Sequence, residues 1–183
     1  MKRIRTLLSE DKESTGREDM TRRLVHAGLI FALAIVLTIA ENALPPLPLP
    51  VPGVKFGLSN IAVMYAMIFL NKGQAYSIAV LKALFVFMTR GLIAGILSLS
   101  GGILSLTVML LLLIISRERI SYMLLSIFGA IAHNLGQFTA ITVIYAGMYM
   151  WAYLPVLLVS GVLAGIITAT LLRFIIPALK RLG

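Results

Sequence analysis

The stretch that decides the fold is ENALPPLPLPVPGVKFGLSN, residues 41–60. It opens on Glu41 and carries five prolines between positions 45 and 52, while the flanking residues 24–40 and 61–70 contain no Asp, Glu, Lys or Arg. Prolines end helices and lack a backbone donor, so the stretch predicts a rigid connection between two apolar helices. Such a connection suits a position next to lipid, either as a plain connector or as a pre-ordered cover over a ligand cavity.

The composition indicates an integral membrane protein. Of 183 residues, 60% are hydrophobic and 13% are charged, which is more apolar surface than a soluble domain of this size can bury. Further charge-free runs cover residues 91–116, 120–132 and 152–172, and runs near 18 residues or more are typical of membrane helices. The chain has no cysteine, which excludes disulfides and thiolate chemistry.

The pattern predicts an all-α bundle of six transmembrane helices. They are expected at about residues 24–44, 54–70, 74–97, 103–116, 120–146 and 152–176. The SLSGG segment at 98–102 is interpreted as the break between the third and fourth helices, and Pro177 as the end of the sixth. Residues 1–22 are expected to form an N-terminal tail, 23–178 the membrane domain and 179–183 the C-terminal end.

The basic residues predict the orientation of this bundle. Thirteen of the sixteen lysines and arginines fall on the side of the termini, Lys55 falls on the other side, and Lys82 and Arg90 lie within the third helix. Basic residues collect on the cytoplasmic side of membrane proteins, so both termini are expected in the cytoplasm of a multi-pass protein of the cell's inner membrane. The net charge of +9 is then a topology signal, and no nucleic-acid partner is expected.

Polar residues recur at similar depth in several predicted helices, near the outer side. The candidate substrate-binding residues are Glu41, Asn42, Lys55, Asn60, Arg90, His133, Asn134 and Gln137. Ionisable groups at membrane depth usually face the bundle interior and mark partners or ligand paths. Two interpretations remain open: a structural network in which Glu41 pairs with Arg90 or Lys55, and a pocket that, with its excess of cationic groups, favours an anionic or zwitterionic ligand.

Lys82 is a further possible pocket residue. It lies eight residues after the expected start of its helix, so its side chain is expected to reach back to the cytoplasmic surface, although a deep cavity would let it serve an anion together with Arg90.

Small residues at a spacing of four occur in three helices. Gly28 and Ala32 in helix one fit either internal packing or a surface for a partner protein. The pairs Gly91 with Gly95 and Gly161 with Gly165 predict close helix approach.

Several catalytic motifs are absent from the sequence. There is no GxxxxGK[ST] loop for ATP, and the only aspartates, Asp11 and Asp19, lie in the expected tail, so no aspartate-rich magnesium-diphosphate site exists. No metal site and no catalysis by this chain alone are therefore expected.

Two segments carry a family resemblance. The pattern AxxLTIAENALPPLPLPVPGVKFGLSNI at 34–61, followed by GQAYSIAVLKALFVFMTRGLIAGILSLSGG at 73–102, resembles the heptaprenyl diphosphate synthase component I family, also called the Gx transporter family. That family is similar to the substrate-binding S components of energy-coupling factor (ECF) transporters. The resemblance implies a six-helix bundle that binds a vitamin or similar micronutrient from outside. It also implies a transmembrane coupling subunit and two cytoplasmic ATPases as partners, which would consume the ATP, so this chain needs no cofactor. Gly28 and Ala32 are the nearest match to the Ala-xxx-Ala coupling motif of such subunits.

Three functions follow as hypotheses. The first is a substrate-binding subunit of an ECF-type importer, which captures a small micronutrient or a prenyl-like or flavin-like anionic or zwitterionic molecule from the outer side. The second is a non-catalytic membrane accessory subunit of a polyprenyl diphosphate synthase or a membrane redox complex. The third is a stand-alone facilitator that works without ATPases.

Overall fold

The computed structural model describes residues 2–43, 57–117, 119–145 and 151–179, and all regular elements in these ranges are helical. The elements are α1 (Lys2–Ala43), α2 (Ser59–Phe69), α3 (Lys72–Arg90), α4 (Leu92–Ile115), α5 (Tyr122–Ile144), a short 3-10 helix (Trp151–Tyr153) and α6 (Leu154–Leu179). The proline run of 45–52 and Lys55 lie outside the described residues.

Four stretches of the described helices are long and apolar enough to cross a membrane, so this is a multi-pass membrane protein. They are Met20–Ala43, Leu92–Ile115, Tyr122–Ile144 and Trp151–Phe174. Each has 23 or 24 residues, which is about 35 Å of helix and enough to cross a hydrocarbon core of about 30 Å.

Helices α1 and α3 run in the same direction. At one end, the Gln74 side chain donates to the carbonyl of Arg23 at 3.5 Å. At the other end, Arg90 donates to the side chain of Asn42 at 3.2 Å. The two helices are thus tied together at both ends.

Helices α3, α4, α5 and α6 alternate in direction. The contacts that show this pair Tyr76 with Thr107, Gly101 with His133, Gly129 with Met109, Ser126 with Gly165, and Asn134 with Leu157. Combined with the parallel α1 and α3, this order places the start of the α1 span and the end of α6 on the same side of the bundle.

Helix α2 lies at the centre of the bundle. Its residues 61–67 are all at most 4% exposed, and it contacts α1, α3, α4 and α6. A helix that is apolar all round belongs in a core. With 11 residues it is about 16 Å long, too short to cross a bilayer alone. The expected helix at 54–70 is therefore too long at its start, because Gly57, at φ +72°, lies outside the helical region.

The break between the third and fourth helices was predicted at the wrong place. Gly91, with φ +90°, ends α3 and directly precedes α4, and its N–H donates to the carbonyl of Phe87 at 2.9 Å. Residues 98–102 continue α4 instead, because Ser98, Gly101 and Gly102 are buried against neighbouring helices, where small residues allow close approach. Gly91 is thus a turn residue rather than half of a packing motif.

Two helix ends also differ from expectation. The segment 2–22, predicted as a tail, continues α1 as helix. Helix α6 continues past Pro177 to Leu179, because a proline in the last turns removes only one hydrogen bond near the helix end.

Glycines bring α4, α5 and α6 into backbone contact. A Cβ added at Gly136 would lie 2.7 Å from the carbonyl oxygen of Ser100, and one added at Gly165 would lie 2.5 Å from the Cα of Ile127. A Cβ at Gly161 would lie 3.1 Å from the Cα of Ile131. The close approach predicted for Gly161 and Gly165 is confirmed.

We predict that Gly165→Ala lowers stability, because the new methyl group collides with the backbone of α5. Over-packing of this kind costs about 1–3 kcal/mol, a drop of several degrees in the Tm of the detergent-purified protein. Gly28→Ala is the matched control, since nothing lies within 4 Å of its added Cβ, and its Tm should equal or slightly exceed that of the parent. Equal Tm values for the two variants would contradict the packing described.

Candidate functional site

Two oppositely charged side chains from neighbouring helices form hydrogen bonds with residues at the start of α2. The N–H of Gly57 donates to Oε1 of Glu41 on α1 at 2.5 Å. Oδ1 of Asn60 accepts from Nζ of Lys82 on α3 at 2.9 Å. Glu41 and Lys82 are 7% and 6% exposed, so both charged side chains are buried within the bundle. We call Glu41, Gly57, Asn60 and Lys82 the charge cluster.

Gly57 makes this arrangement possible. Its φ of +72° is one that residues with a side chain rarely adopt, and this backbone angle allows the chain to turn sharply into α2. The N–H of Asn60 then donates to the carbonyl of Gly57 at 2.9 Å, which closes the first turn. In this turn, the N–H of Gly57 points towards α1, and Oδ1 of Asn60 points towards α3.

Glu41 is buried because of its position on α1. The buried face of α1 is formed by Ile30, Ala34, Thr38 and Glu41. These residues are three or four positions apart and therefore lie on one side of the helix. Asn42, one position further, is exposed.

The side chain of Lys82 is buried and donates to Asn60 instead of reaching back towards the start of α3, so that interpretation is wrong. It lies ten residues after Lys72, the start of α3, which is about 15 Å along the helix. Asn60 provides a polar partner inside the bundle that is closer than either end of α3.

His133 lies at the midpoint of α5, beside the charge cluster. Its imidazole packs against Gly101 of α4, where an added Cβ would come within 2.8 Å of the ring. It lies within electrostatic reach of the Lys82 ammonium. Nδ1 of His133 is buried and has no hydrogen-bond partner among the described residues. The backbone of Gly101 lies next to this ring and interacts with it.

Asn134 and Gln137 have different surroundings. The Asn134 side chain donates to the carbonyl of Leu157 at 2.8 Å and to Oγ of Ser160 at 3.2 Å, so it ties α5 to α6. Gln137 is half-buried one turn beyond His133 on the same side of α5.

Arg90 and Asn42 form a separate contact at the ends of α3 and α1, where both are exposed. In the described part of the chain, Arg90 thus reaches Asn42, and the pairing of Arg90 with Glu41 considered from the sequence is not formed. Lys55, the other partner considered for Glu41, is outside the described residues.

Gly28 and Ala32 lie on the exposed face of α1, opposite its buried face. Their neighbours on this face are large apolar side chains, namely Leu24, Val25, Leu29, Val36 and Ile39. Among the described residues, neither Gly28 nor Ala32 packs against another helix of this chain.

Sequence reasoning missed Gly57 and Gly101 as parts of the site. Gly57 could have been found as one of the two glycines, with Gly53, between the proline run and the next apolar helix. Gly101 was interpreted as part of a break, and its contact with His133 depends on how α4 and α5 cross. No group of three His, Cys, Asp or Glu that could hold a metal ion occurs in the described ranges.

The comparisons with known proteins give one family. A family model described as heptaprenyl diphosphate synthase component I matches residues 30–175, a range that includes the whole charge cluster and His133. No curated protein and no solved structure matches the chain.

We predict opposite effects on stability for two adjacent substitutions in α5. His133→Leu removes an unsatisfied buried nitrogen, so the washed, ligand-free protein should keep or raise its Tm. Asn134→Leu removes a satisfied interhelical hydrogen bond and should cost about 1 kcal/mol. Thermal unfolding of the two variants in detergent measures both changes in Tm. A loss for His133→Leu as large as that for Asn134→Leu would show that His133 is a structural residue.

Proposed function

This chain belongs to the heptaprenyl diphosphate synthase component I family, and we propose that it is the substrate-binding subunit of an ECF-type importer. It captures a small anionic or zwitterionic micronutrient from the outer side of the cytoplasmic membrane. Partner subunits then drive uptake with ATP. The chain itself carries out no catalysis and needs no cofactor.

The observation that carries this proposal is the charge cluster with His133. Ionisable groups inside a membrane bundle cost several kcal/mol and are mostly found where they line substrate or ion paths. Here two of them, Glu41 and Lys82, are buried together with the amide of Asn60. A packing role alone would be served better by apolar residues.

The orientation supports access from outside. With the basic termini in the cytoplasm, the ends of α1 and α3 that carry Asn42 and Arg90 face outwards. Lys82 lies eight residues, about 12 Å, from Arg90 along α3. A ligand that enters at the Arg90 end would thus reach the charge cluster part of the way through the bundle, with Arg90 and Asn42 near the entrance.

We place the contact with a transmembrane coupling subunit on the exposed face of α1. An added Cβ at Gly28 meets nothing within 4 Å, so a partner helix can approach the α1 backbone there. Two cytoplasmic ATPases would bind the coupling subunit and supply the energy. No nucleic acid takes part.

A second candidate function is favoured by the name of the family. A component of heptaprenyl diphosphate synthase would be a non-catalytic membrane subunit that presents substrate to a soluble synthase. Co-purification separates the two functions. A coupling subunit with ATPases supports import, whereas a soluble aspartate-rich synthase supports the accessory role.

We predict that gently purified protein releases a stoichiometric polar metabolite on denaturation, detected by mass spectrometry. Lys82→Met should lose at least about nine-tenths of it, since a charge-assisted hydrogen bond contributes about 1.5–3 kcal/mol. Leu81→Ala, at an exposed neighbouring position, should retain it.

Release of bulk lipid alone, from protein produced in several growth media, would contradict the capture function. The accessory role in prenyl-lipid synthesis would then be the better account.

A further inference from the structure

We propose that Arg117, Arg119 and Arg173 bind the headgroup of an anionic phospholipid of the cytoplasmic leaflet, and that exposed apolar side chains beside them contact its acyl chains. We call these three residues the arginine group. The inference concerns a surface of α4, α5 and α6 rather than the charge cluster. It rests on the orientation given above, with the termini in the cytoplasm.

The charged residues of α4, α5 and α6 are confined to one end of these helices. Between residues 92 and 179, the described residues with a formal charge are the three members of the arginine group. Arg117 and Arg119 lie just beyond the end of the α4 span, and Arg173 lies in the last turn of the α6 span. All three are exposed. An anion at this end of the bundle therefore meets positive charge from two separate segments of the chain.

The packing of α5 on α6 brings these segments to the same level. Oγ of Ser126 donates to the carbonyl of Gly165 at 2.8 Å, which fixes the register of the two antiparallel helices. Arg173 lies eight residues after Gly165, which is about 12 Å along α6. Arg119 lies seven residues before Ser126, in the same direction and beyond the start of α5. The arginine group thus flanks the start of α5.

Arg117 has a backbone conformation that favours glycine. Its φ is +49°, and it directly follows Ser116, the C-cap residue of α4. Helices commonly place glycine at this position, because a Cβ makes the left-handed conformation less stable. Since an arginine is unfavourable here for the backbone, its side chain is expected to serve binding rather than the stability of the turn.

Large apolar side chains are exposed beside the arginine group. Ile115 at the end of α4 is 77% exposed, and Phe174 on α6 is 76% exposed. On α5, the exposed residues Leu124 and Phe128 are four positions apart and form one face that leads from the arginine group into the membrane. A molecule with an acidic headgroup and long acyl chains matches both parts of this surface.

The excess of positive charge selects an anionic lipid. Glu118 lies between Arg117 and Arg119 in the sequence and outside the described residues, and even with its charge included the surface remains basic. Basic residues at the membrane surface attract anionic lipids, and each contributes about five-fold in affinity. A guanidinium group can also donate to two phosphate oxygens at once.

Two other partners fit this surface less well. A zwitterionic lipid offers a phosphate but no net negative charge, so it gains less from the arginine group. An acidic soluble protein could reach the arginines, but it could not contact Leu124 and Phe128, which lie within the α5 span.

The test measures the binding of two lipids with identical acyl chains to the full-length protein in detergent. Phosphatidylglycerol is the anionic probe and phosphatidylcholine the neutral one, and native mass spectrometry follows both titrations. We expect the parent to bind phosphatidylglycerol at least about tenfold more tightly than phosphatidylcholine. Arg119→Gln and Arg173→Gln should each reduce this preference about five-fold.

Lys72→Gln is the matched control. It removes an exposed positive charge on the same side of the bundle, at the start of α3. Because Lys72 lies outside the arginine group, this variant should keep most of the preference for phosphatidylglycerol.

Arg117→Gly separates binding from stability. Glycine adopts the left-handed conformation without strain, so the Tm of the lipid-free variant should equal or exceed that of the parent. Its preference for phosphatidylglycerol should nevertheless fall about five-fold. A lower Tm together with weaker lipid binding would show that Arg117 supports the turn, and would remove it from the site.

Three results would overturn the inference. Equal affinity of the parent for the two lipids would show that this surface does not select an anionic headgroup. An unchanged preference in all three arginine variants would show that the lipid binds elsewhere. Equal losses for Lys72→Gln and for the arginine variants would show an effect of overall charge rather than a site.

Discussion

The burial of two opposite charges inside an apolar bundle is the constraint on which the rest of this structure depends. An ionised side chain at membrane depth must find hydrogen-bonding partners within the protein. Glu41 and Lys82 find them within four residues at the start of α2, at Gly57 and Asn60. The short central helix α2 therefore has two roles. It fills the core with apolar side chains, and hydrogen bonds at its start connect it to Glu41 of α1 and Lys82 of α3.

The remainder of the bundle is held together differently. Helices α4, α5 and α6 approach one another at glycines, where backbone touches backbone and no side chain could be added without displacement. Such interfaces have little room to adjust. The contacts of α1 and α3 with α2, by contrast, include hydrogen bonds of the charged side chains Glu41 and Lys82. We infer that ligand binding acts on the α1–α2–α3 side, supported by the closely packed α4–α6 side.

Much of this fold follows from local sequence, and the site does so only in part. The charge-free runs and the Gly161–Gly165 spacing are properties of single helices, so the membrane helices and a close approach of some helix to α6 could be predicted, but not that this helix is α5. The burial of Glu41 could also have been predicted, because it continues the buried stripe of Ile30, Ala34 and Thr38. The direction of Lys82 could not, since it depends on Asn60 of another helix lying 2.9 Å away. The position of the break between α3 and α4 could not be predicted either. The SLSGG segment contains more residues of low helix propensity than the single Gly91. It is nevertheless helical, because Gly101 and Gly102 pack closely against α5 and α3.

The most direct test of this account is a double-mutant cycle between Asn60 and Lys82, measured by thermal unfolding of the detergent-purified protein. Removal of one partner of a buried charged contact destabilises a protein, whereas replacement of both by apolar groups can be nearly neutral. The account predicts that Asn60→Leu lowers stability strongly in the parent and much less in Lys82→Met, with a coupling of at least about 1.5 kcal/mol. Equal effects of Asn60→Leu in both backgrounds would show that the two residues do not interact and would contradict the charge cluster itself.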